Sequence, residues 1–262
     1  EYYGGNIMVL TTDIGNSNIV IGCSCDNKIL FVERLSTKIT ATELEYAISF
    51  KNVLELYGIR SEDIEGAIIS SVVPNITNVI RRAIYKIIHK EAMVVGPGIK
   101  TGLKITIDTP AQLGSDLVVD AVAGINEYPL PLIIFDLGTA TTVSVVSKEG
   151  DYLGGAIMPG MRISMDALVG RTSQLRKISF EPPKNIIGKN TSECMKSGII
   201  YGTASSIDGM IDRINDELGE KATIIATGGL AGTVIPFCRN KIILDDELLL
   251  KGLMVIYDKN TH

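Results

Sequence analysis

Apolar and polar positions along the chain fall into two successive schemes of the same kind. Residues 8–13, 17–25 and 28–35 are apolar or alternating runs separated by Gly, Asn, Ser and Asp, the pattern of three strands in an antiparallel meander. Thr42 then precedes Leu44, Ala47, Ile48, Val53, Leu54 and Tyr57 at helical spacing, which makes it a candidate cap, and Gly58 ends the helix. A buried strand is expected over 66–72, halted at Val73-Pro74, then a helix over 75–90 and a short strand over 92–95. The second half restarts the scheme with strands over 132–136, 141–147 and 151–157 and helices from about Met161 and Thr191. A further strand over 222–226 runs into Thr227-Gly228-Gly229 and a following helix. Residues 191–218 read as one long helix whose Gly198, Gly202 and Ser206 share a face, suited to close packing within the chain or against a second copy.

Three strands, a helix and a strand, twice over, predict an α/β fold of two related halves, each a mixed sheet flanked by helices, with a ligand cleft where strand ends converge. The duplication is visible in the residues. Set without gaps, 8–24 (MVLTTDIGNSNIVIGCS) over 131–147 (PLIIFDLGTATTVSVVS) places Asp13 over Asp136, Gly15 over Gly138 and Ser24 over Ser147. The halves are drawn as 8–118 and 119–262. Residues 1–7, EYYGGNI, are left outside the fold as an artificial extension or a disordered start, with Met8 as the natural first residue.

Each copy is an apolar strand, an Asp-x-Gly turn and a β-branched strand. Gly lets backbone approach a phosphate, Asn16, Ser17, Asn18, Thr139, Thr141 and Thr142 offer short donors, and the Asp can hold a hydrated cation. One Asp-x-Gly alone is an ordinary hairpin turn; two in matching strand contexts point to a phosphate clamp. Thr227-Gly228-Gly229 is either a plain strand-to-helix turn or a close approach to a nucleotide's base or ribose. Asp116, in GSDLVVDAV, reads as a helix start, where it or Ser115 caps the helix, or as an acid available for proton transfer.

Composition narrows the field. The charged fraction is 21% and the hydrophobic fraction 45%, and no apolar run is long enough to cross a bilayer, so no membrane span is expected. A net charge of −5, with basic residues scattered, gives no footprint for nucleic acid. Cys23, Cys25, Cys194 and Cys238 form no C-x-x-C pair and lie far from the two histidines, His89 and His262, which argues against structural zinc and a His-based triad. Cys23 and Cys25 are expected to pack as small hydrophobes in a reducing cytosol, and His89 to sit at a helix end on the surface.

The ordered series DIGNSN (13–18), SSVVP (70–74), GLKI (102–105), LGSD (113–116), DLGTATT (136–142), GGAIMPG (154–160), Asn190-Thr191 and TGGLA (227–231) resembles the type III pantothenate kinases of the acetate kinase, Hsp70 and actin superfamily. The resemblance implies two ribonuclease H-like halves with a nucleotide cleft between them. It implies transfer of the γ-phosphoryl of ATP to the primary hydroxyl of pantothenate, the first step of coenzyme A synthesis, by a cytoplasmic homodimer using magnesium and a monovalent cation, potassium or ammonium. By position, Asp13, Ile14, Gly15, Asn16, Ser17, Asn18, Ile19 and Val20 match the first ATP loop, with Asp13 holding magnesium through water. Thr139 matches an ATP contact, Asp136 the potassium ligand, and Gly228 and Gly229 the adenosine motif. Asp116 matches the catalytic base; Gly114, Ser115, Asp116 and Leu117 match the pantothenate segment, and Thr191 is a further substrate contact.

Three departures cluster on the acceptor side: Leu117 stands where Arg is common, Ile107 where a substrate-binding Tyr is usual, and Arg176 where a Pro often follows the TxxL element. An Arg lost from a carboxylate site removes charged hydrogen bonds worth roughly 1.5–3 kcal/mol each. Lys104, Arg162 and Arg171 are the candidates to replace it, or are ordinary surface residues. Two other readings stay open: a nucleotide-binding regulatory protein with reduced turnover, and a kinase of another small alcohol.

Overall fold

The computed structural model describes residues 7–26 and 28–261. Strand β1 (Met8–Ile14) is buried on both faces as its apolar run demands, with β2 (Asn18–Cys25) antiparallel on one side and β3 (Lys28–Ser36) beyond it. Helix α1 (Glu43–Leu56) starts at Thr42, whose hydroxyl accepts from the Glu45 N–H while the Glu45 carboxylate accepts from the Thr42 N–H. The chain turns at Gly58, in the left-handed region at φ 67°, and returns as β4 (Ile64–Ser71), parallel to β1. Pro74, read as a stop, is the first residue of helix α2 (Pro74–Ile88), because the first turn of a helix needs no N–H there. His89 caps that helix in the left-handed region and is exposed, and β5 (Ala92–Val94) completes a sheet of order β3-β2-β1-β4-β5. Leu10 and Ile14 share one core with Phe50 and Leu54 of α1 and Ile76, Ile80 and Ile84 of α2. Cys23 and Cys25 pack in that core, where burial raises the Cys23 thiol to about 12.

The second sheet, in the order β11-β10-β7-β8-β9-β6, repeats the plan. Its strands are β6 (Lys104–Ile105), β7 (Leu132–Leu137), β8 (Ala140–Val146), β9 (Asp151–Pro159), β10 (Thr223–Thr227) and β11 (Ile243–Leu244). Helix α3 (Ser115–Glu127) precedes β7; α4 (Met161–Gly170), α5 (Thr191–Leu218) and the four-residue α6 (Ala231–Val234) follow β9 and β10, and α7 (Leu248–Thr261) closes the chain. Ile133, Phe135 and Val143 pack with Ile199, Ile200, Ala204, Ile207 and Ile211 of α5. The Gly198, Gly202 and Ser206 face of α5 is exposed, so it makes no close packing within the described residues. No helix of the described residues is long and apolar enough to cross a membrane.

The chain forms two compact units. One holds the described residues through Gly102, with Ala111–Ala123 and those from Glu247 onward; the other holds Leu103–Pro110 and Gly124–Asp246. This division differs from a boundary after 118. Residues 103–110 carry β6, which pairs in parallel with β9 of the second sheet, and α7 packs on β1 and β4 of the first. Of the leader residues set aside by sequence, 1–6 lie outside the described residues.

The duplication holds, with one correction to its register. In the first hairpin Ile14 pairs with Ile19 around residues 15–18; in the second Leu137 pairs with Thr141 around 138–140, one residue shorter. The ungapped comparison therefore fails after the turn. Val9 faces Ser24 and its counterpart Leu132 faces Val146, so Ser24 corresponds to Val146, not Ser147. A bulge between Cys23 and Ser24 in the first sheet recurs between Val145 and Val146 in the second, at the corrected equivalent position.

Phe135 is 0% exposed in the middle of the second core. Phe135→Ala is expected to cost about 3–5 kcal/mol of unfolding free energy, against about 1 kcal/mol for Thr42→Ala at the α1 cap. Urea denaturation of the two variants checks the contrast; similar losses would mean that the second core closes around the cavity.

Candidate active site

In the first unit the partly buried Asp13 is the next-to-last residue of β1, and the chain enters its turn after Ile14. The Gly15 N–H donates to the Asn18 carbonyl at 3.0 Å, the Thr37 hydroxyl donates to the Gly15 carbonyl at 2.7 Å, and the Thr37 N–H donates to the Ser17 carbonyl at 3.0 Å. In a planar trans peptide C=O and N–H point opposite ways, so anchoring these carbonyls on Thr37 turns the Asn16 and Asn18 N–H groups outward. Asn16, Ser17 and Asn18 are exposed; Ile14 and Ile19 are buried beneath them and Val20 is half-buried. Thr37 carried no signal in the sequence, because a threonine after a strand is unremarkable until the fold brings it to the turn.

On the neighbouring strand Ser70 stands beside Asp13 in register, and Ser71 beside Ile14. The start of α3 is fixed there. The Ser115 hydroxyl lies 3.0 Å from the Ser70 hydroxyl, accepts from the Ser71 N–H at 3.0 Å and donates to the Ser71 carbonyl at 3.0 Å. It therefore does not cap its own helix, and what it offers a ligand is its backbone N–H, outside the intrahelical ladder. Asp116 Oδ1 accepts from the Leu117 N–H at 2.9 Å, so the carboxylate does complement the first helical turn. Gly114 has no room for a side chain, since a Cβ there would stand 2.4 Å from Asp116 Oδ1.

In the second unit Asp136 is the next-to-last residue of β7. Gly228, at φ 94°, packs so closely that a Cβ would lie 2.3 Å from Asp136 Oδ1, and the Leu230 N–H donates to the Leu137 carbonyl at 3.3 Å. From another direction Gly160, ahead of α4, would put a Cβ 2.1 Å from the Thr139 carbonyl oxygen and 2.8 Å from that of Gly138. With those carbonyls against Gly160, the Thr139 N–H points away from it. Thr139 and Gly229 are exposed, whereas Thr141, counted by sequence among the loop donors, is 2% exposed in β8. The sequence contains the Gly of GGAIMPG, but its contact with the β7–β8 turn is visible only in the fold.

Asp136 faces Thr142 across the β7–β8 pair, and the Thr142 hydroxyl is buried with no hydrogen-bond partner. A carboxylate and an orphaned hydroxyl on facing strands suit a cation with oxygen ligands. Asp13 offers one carboxylate, which suits magnesium held through water. Among the described residues no cluster of three or more His, Cys, Asp or Glu could cage a metal, so a divalent ion there would take most of its ligands from water and phosphate.

A family model described as type III pantothenate kinase matches residues 9–213. The chain belongs to the type III pantothenate kinase family. It is 42% identical over 253 residues to the type III pantothenate kinase of Brevibacillus brevis, covering 97% of this chain and 99% of that one. With the enzyme of the same name from Moorella thermoacetica it shares 39% identity over 254 residues, covering 97% and 100%. Among solved structures, a conserved Baf family protein from Campylobacter jejuni superposes with a TM-score of 0.60 at 18% identity, covering 96% of this chain and 98% of that one. The ROK hexokinase of Thermus thermophilus gives a TM-score of 0.50 at 14% identity, covering 97% and 99%. These two show the fold alone, the two ribonuclease H-like halves of actin-like ATPases.

The residues that sequence comparison expected on the acceptor side of this type III pantothenate kinase divide between the units. Residues 114–117 lie in the first; half-buried Ile107, against Gly154, and exposed Thr191, the first residue of α5, lie in the second. Of the cations considered for the missing Arg, Lys104 pairs with Asp151, Arg162 lies 5.6 Å from the centre of the Phe180 ring, and Arg171 is exposed at the end of α4.

Burial pushes the Asp116 carboxyl above its ordinary 3.8, partly offset by the backbone N–H groups of Leu117 and Asp116 itself. The folded chain thus keeps this proton to a higher pH than the unfolded chain. Stability contributed by this group is present below about 3.8 and is lost as pH rises through the raised value. Asp116→Asn carries no charge to desolvate, so its Tm is expected to exceed the wild type's at pH 7, with the gap closing as pH approaches 4. Thermal unfolding at both pH values checks this, and a gap independent of pH would contradict the desolvation.

Proposed function

We propose that the chain transfers the γ-phosphoryl of ATP to the primary hydroxyl of pantothenate, giving 4′-phosphopantothenate, the first step of coenzyme A synthesis. Family membership makes it an ATP-dependent kinase. The observation that carries the residue roles is the placement of Asp116: a partly buried acid at a helix start tied to β4, beside the strand that ends on Asp13 and the first turn. The acceptor oxygen attacks Pγ as the bond from Pγ to the bridging oxygen breaks, ADP leaves, and the hydroxyl proton passes to Asp116. Charge in such a transition state sits largely on the transferred oxygens, so positioning dominates and the base accepts a late proton. A carboxyl that burial holds above its ordinary 3.8 is a better proton acceptor than a free aspartate.

In this reading residues 13–20 of the first unit, and Thr139 of the second, bind ATP phosphate through peptide N–H groups and short side chains, and Gly228 and Gly229 lie by adenosine. Asp13 holds magnesium through water and Asp136, with Thr142, a potassium or ammonium ion; these cations supply charge neutralisation at the phosphates. Gly114, Leu117, Ile107, Thr191 and the backbone N–H of Ser115 contact pantothenate. The enzyme works as a cytoplasmic homodimer, a reading supported by the exposed small-residue face of α5 and by Ile157, Ile163 and Leu168, which are 77%, 44% and 41% exposed.

Coupled ATP turnover in magnesium and potassium is expected to depend on pantothenate, and Asp116→Asn to lower kcat by about 10²–10⁴-fold with circular dichroism unchanged. ATP binding without pantothenate-dependent turnover would overturn the substrate and direct the search to another small alcohol, a reading that the apolar Leu117 favours. Exchange of potassium for sodium is expected to raise the KM for ATP in the wild type and to have no such effect in Asp136→Asn. Equal responses in both proteins would remove Asp136 from cation binding.

A further inference from the structure

The SSVVP run at 70–74 lies next to the candidate base yet has no part in the roles above. Ser70 is 0% exposed, and both it and Ser71 are tied to Ser115. The donors can be assigned by counting protons. A hydroxyl has one proton; that of Ser115 goes to the Ser71 carbonyl, so the Ser70 hydroxyl is the donor in the 3.0 Å contact with Ser115. Ser115 Oγ thus accepts twice and donates once, a complete set. Ser71 is fixed in turn. Its hydroxyl accepts from the Val73 N–H at 3.1 Å and lies 2.7 Å from the Thr77 hydroxyl, which donates to the Val73 carbonyl at 3.0 Å. Here too the Thr77 proton is spent, so Ser71 donates to Thr77.

The result is a continuous hydroxyl network from the first turn of α2, through the end of β4, to the first residue of α3. Asp116 is the next residue along. Ser115 is the only link in this network that belongs to α3, and an unpartnered first turn would be free to fray or rotate. Ser70 lies beside Asp13 in the β1–β4 register, so the network also refers Asp116 to the strand carrying the first phosphate turn.

We propose that Ser115, held by Ser70, is a positioning residue that fixes the Asp116 carboxylate relative to the acceptor hydroxyl. The inference rests on Asp116 being the base. It makes the Ser115 hydroxyl a part of the catalytic geometry that touches neither substrate nor nucleotide. Displacement of a catalytic group by about 1 Å costs on the order of 10²-fold in rate.

The test is a double-mutant cycle in the kinase assay, on the full chain with ATP and pantothenate. Ser115→Ala is expected to lower kcat about 10–100-fold with the KM for ATP within about twofold of wild type. Ser70→Ala is expected to have a smaller effect, since Ser115 keeps both bonds to Ser71. In the Asp116→Asn background Ser115→Ala should change kcat no further, because the group it positions is gone. If the Ser115→Ala loss is equally large in that background, or if KM and kcat worsen together, the network is merely structural and the inference falls. Wild-type kcat in Ser115→Ala beside a collapsed Asp116→Asn overturns this inference alone; wild-type kcat in Asp116→Asn overturns the base reading beneath it. Should Ser115→Ala fail to fold, Ser70→Ala carries the same cycle.

Discussion

A strand buried on both faces can carry a charge in one place, its end. Strands β1 and β7 are the interior strands on which the two sheets are built, and each remains buried until its last turn, where Asp13 and Asp136 occur. Earlier along either strand an ionised carboxylate would face a large desolvation cost. The position of both acids thus follows from the requirement for two dry cores, and the turns that follow inherit their position from the acids. A duplicated core gives a duplicated acid-then-turn unit, and two polar loops at equivalent places are the direct consequence.

What each turn does is decided by where its carbonyls go. In the first, Thr37 takes two of them; in the second, Gly160 and Leu230 sit against them. The two solutions use different residues from different elements, yet both turn peptide N–H groups outward. Peptide N–H groups freed in this way suit an anion such as phosphate without a charged side chain. The same close packing explains why glycine occupies 160 and 228: at each the constraint is a neighbouring backbone or carboxylate less than 2.5 Å from where a Cβ would stand.

The strands of both meanders, the Thr42 cap and the two Asp-x-Gly turns were legible in the sequence because their causes are local: alternation, capping chemistry and turn residues. The elements it did not show have causes elsewhere in the chain. Helix α7 is almost uniformly apolar along Leu248–Ile256 and holds Gly252, so periodicity gives no face. Its place against β1 and β4 depends on a sheet formed some two hundred residues earlier. The one-residue difference between the two turns is equally invisible, since 13–18 and 136–141 look alike until pairing counts them. In the site, the acids and glycines were readable as types, but Thr37 and the direction of the Ser115 hydroxyl depend on contacts 22 and 44 residues away.

Leu117 shows how one departure changes two properties at once. An Arg beside Asp116 would stabilise the carboxylate and draw its pKa down, whereas Leu117 offers only its backbone N–H and leaves burial as the larger effect. In the proposed role Asp116 is then a stronger base, and an acceptor carboxylate would find no cation at 117. Lys104 and Arg162 are already engaged, with Asp151 and Phe180. The remaining sources of positive potential are Arg171, exposed at the end of α4, and the backbone. Ser115 opens α3 and Thr191 opens α5, and the N–H groups of a helix's first turn carry partial positive charge that favours an anion without any side chain. A helix start favours a carboxylate by dipoles rather than by a bidentate fork, with less geometric selectivity than an Arg gives. The substitution at 117 therefore bears on which alcohol is accepted as much as on how fast it reacts.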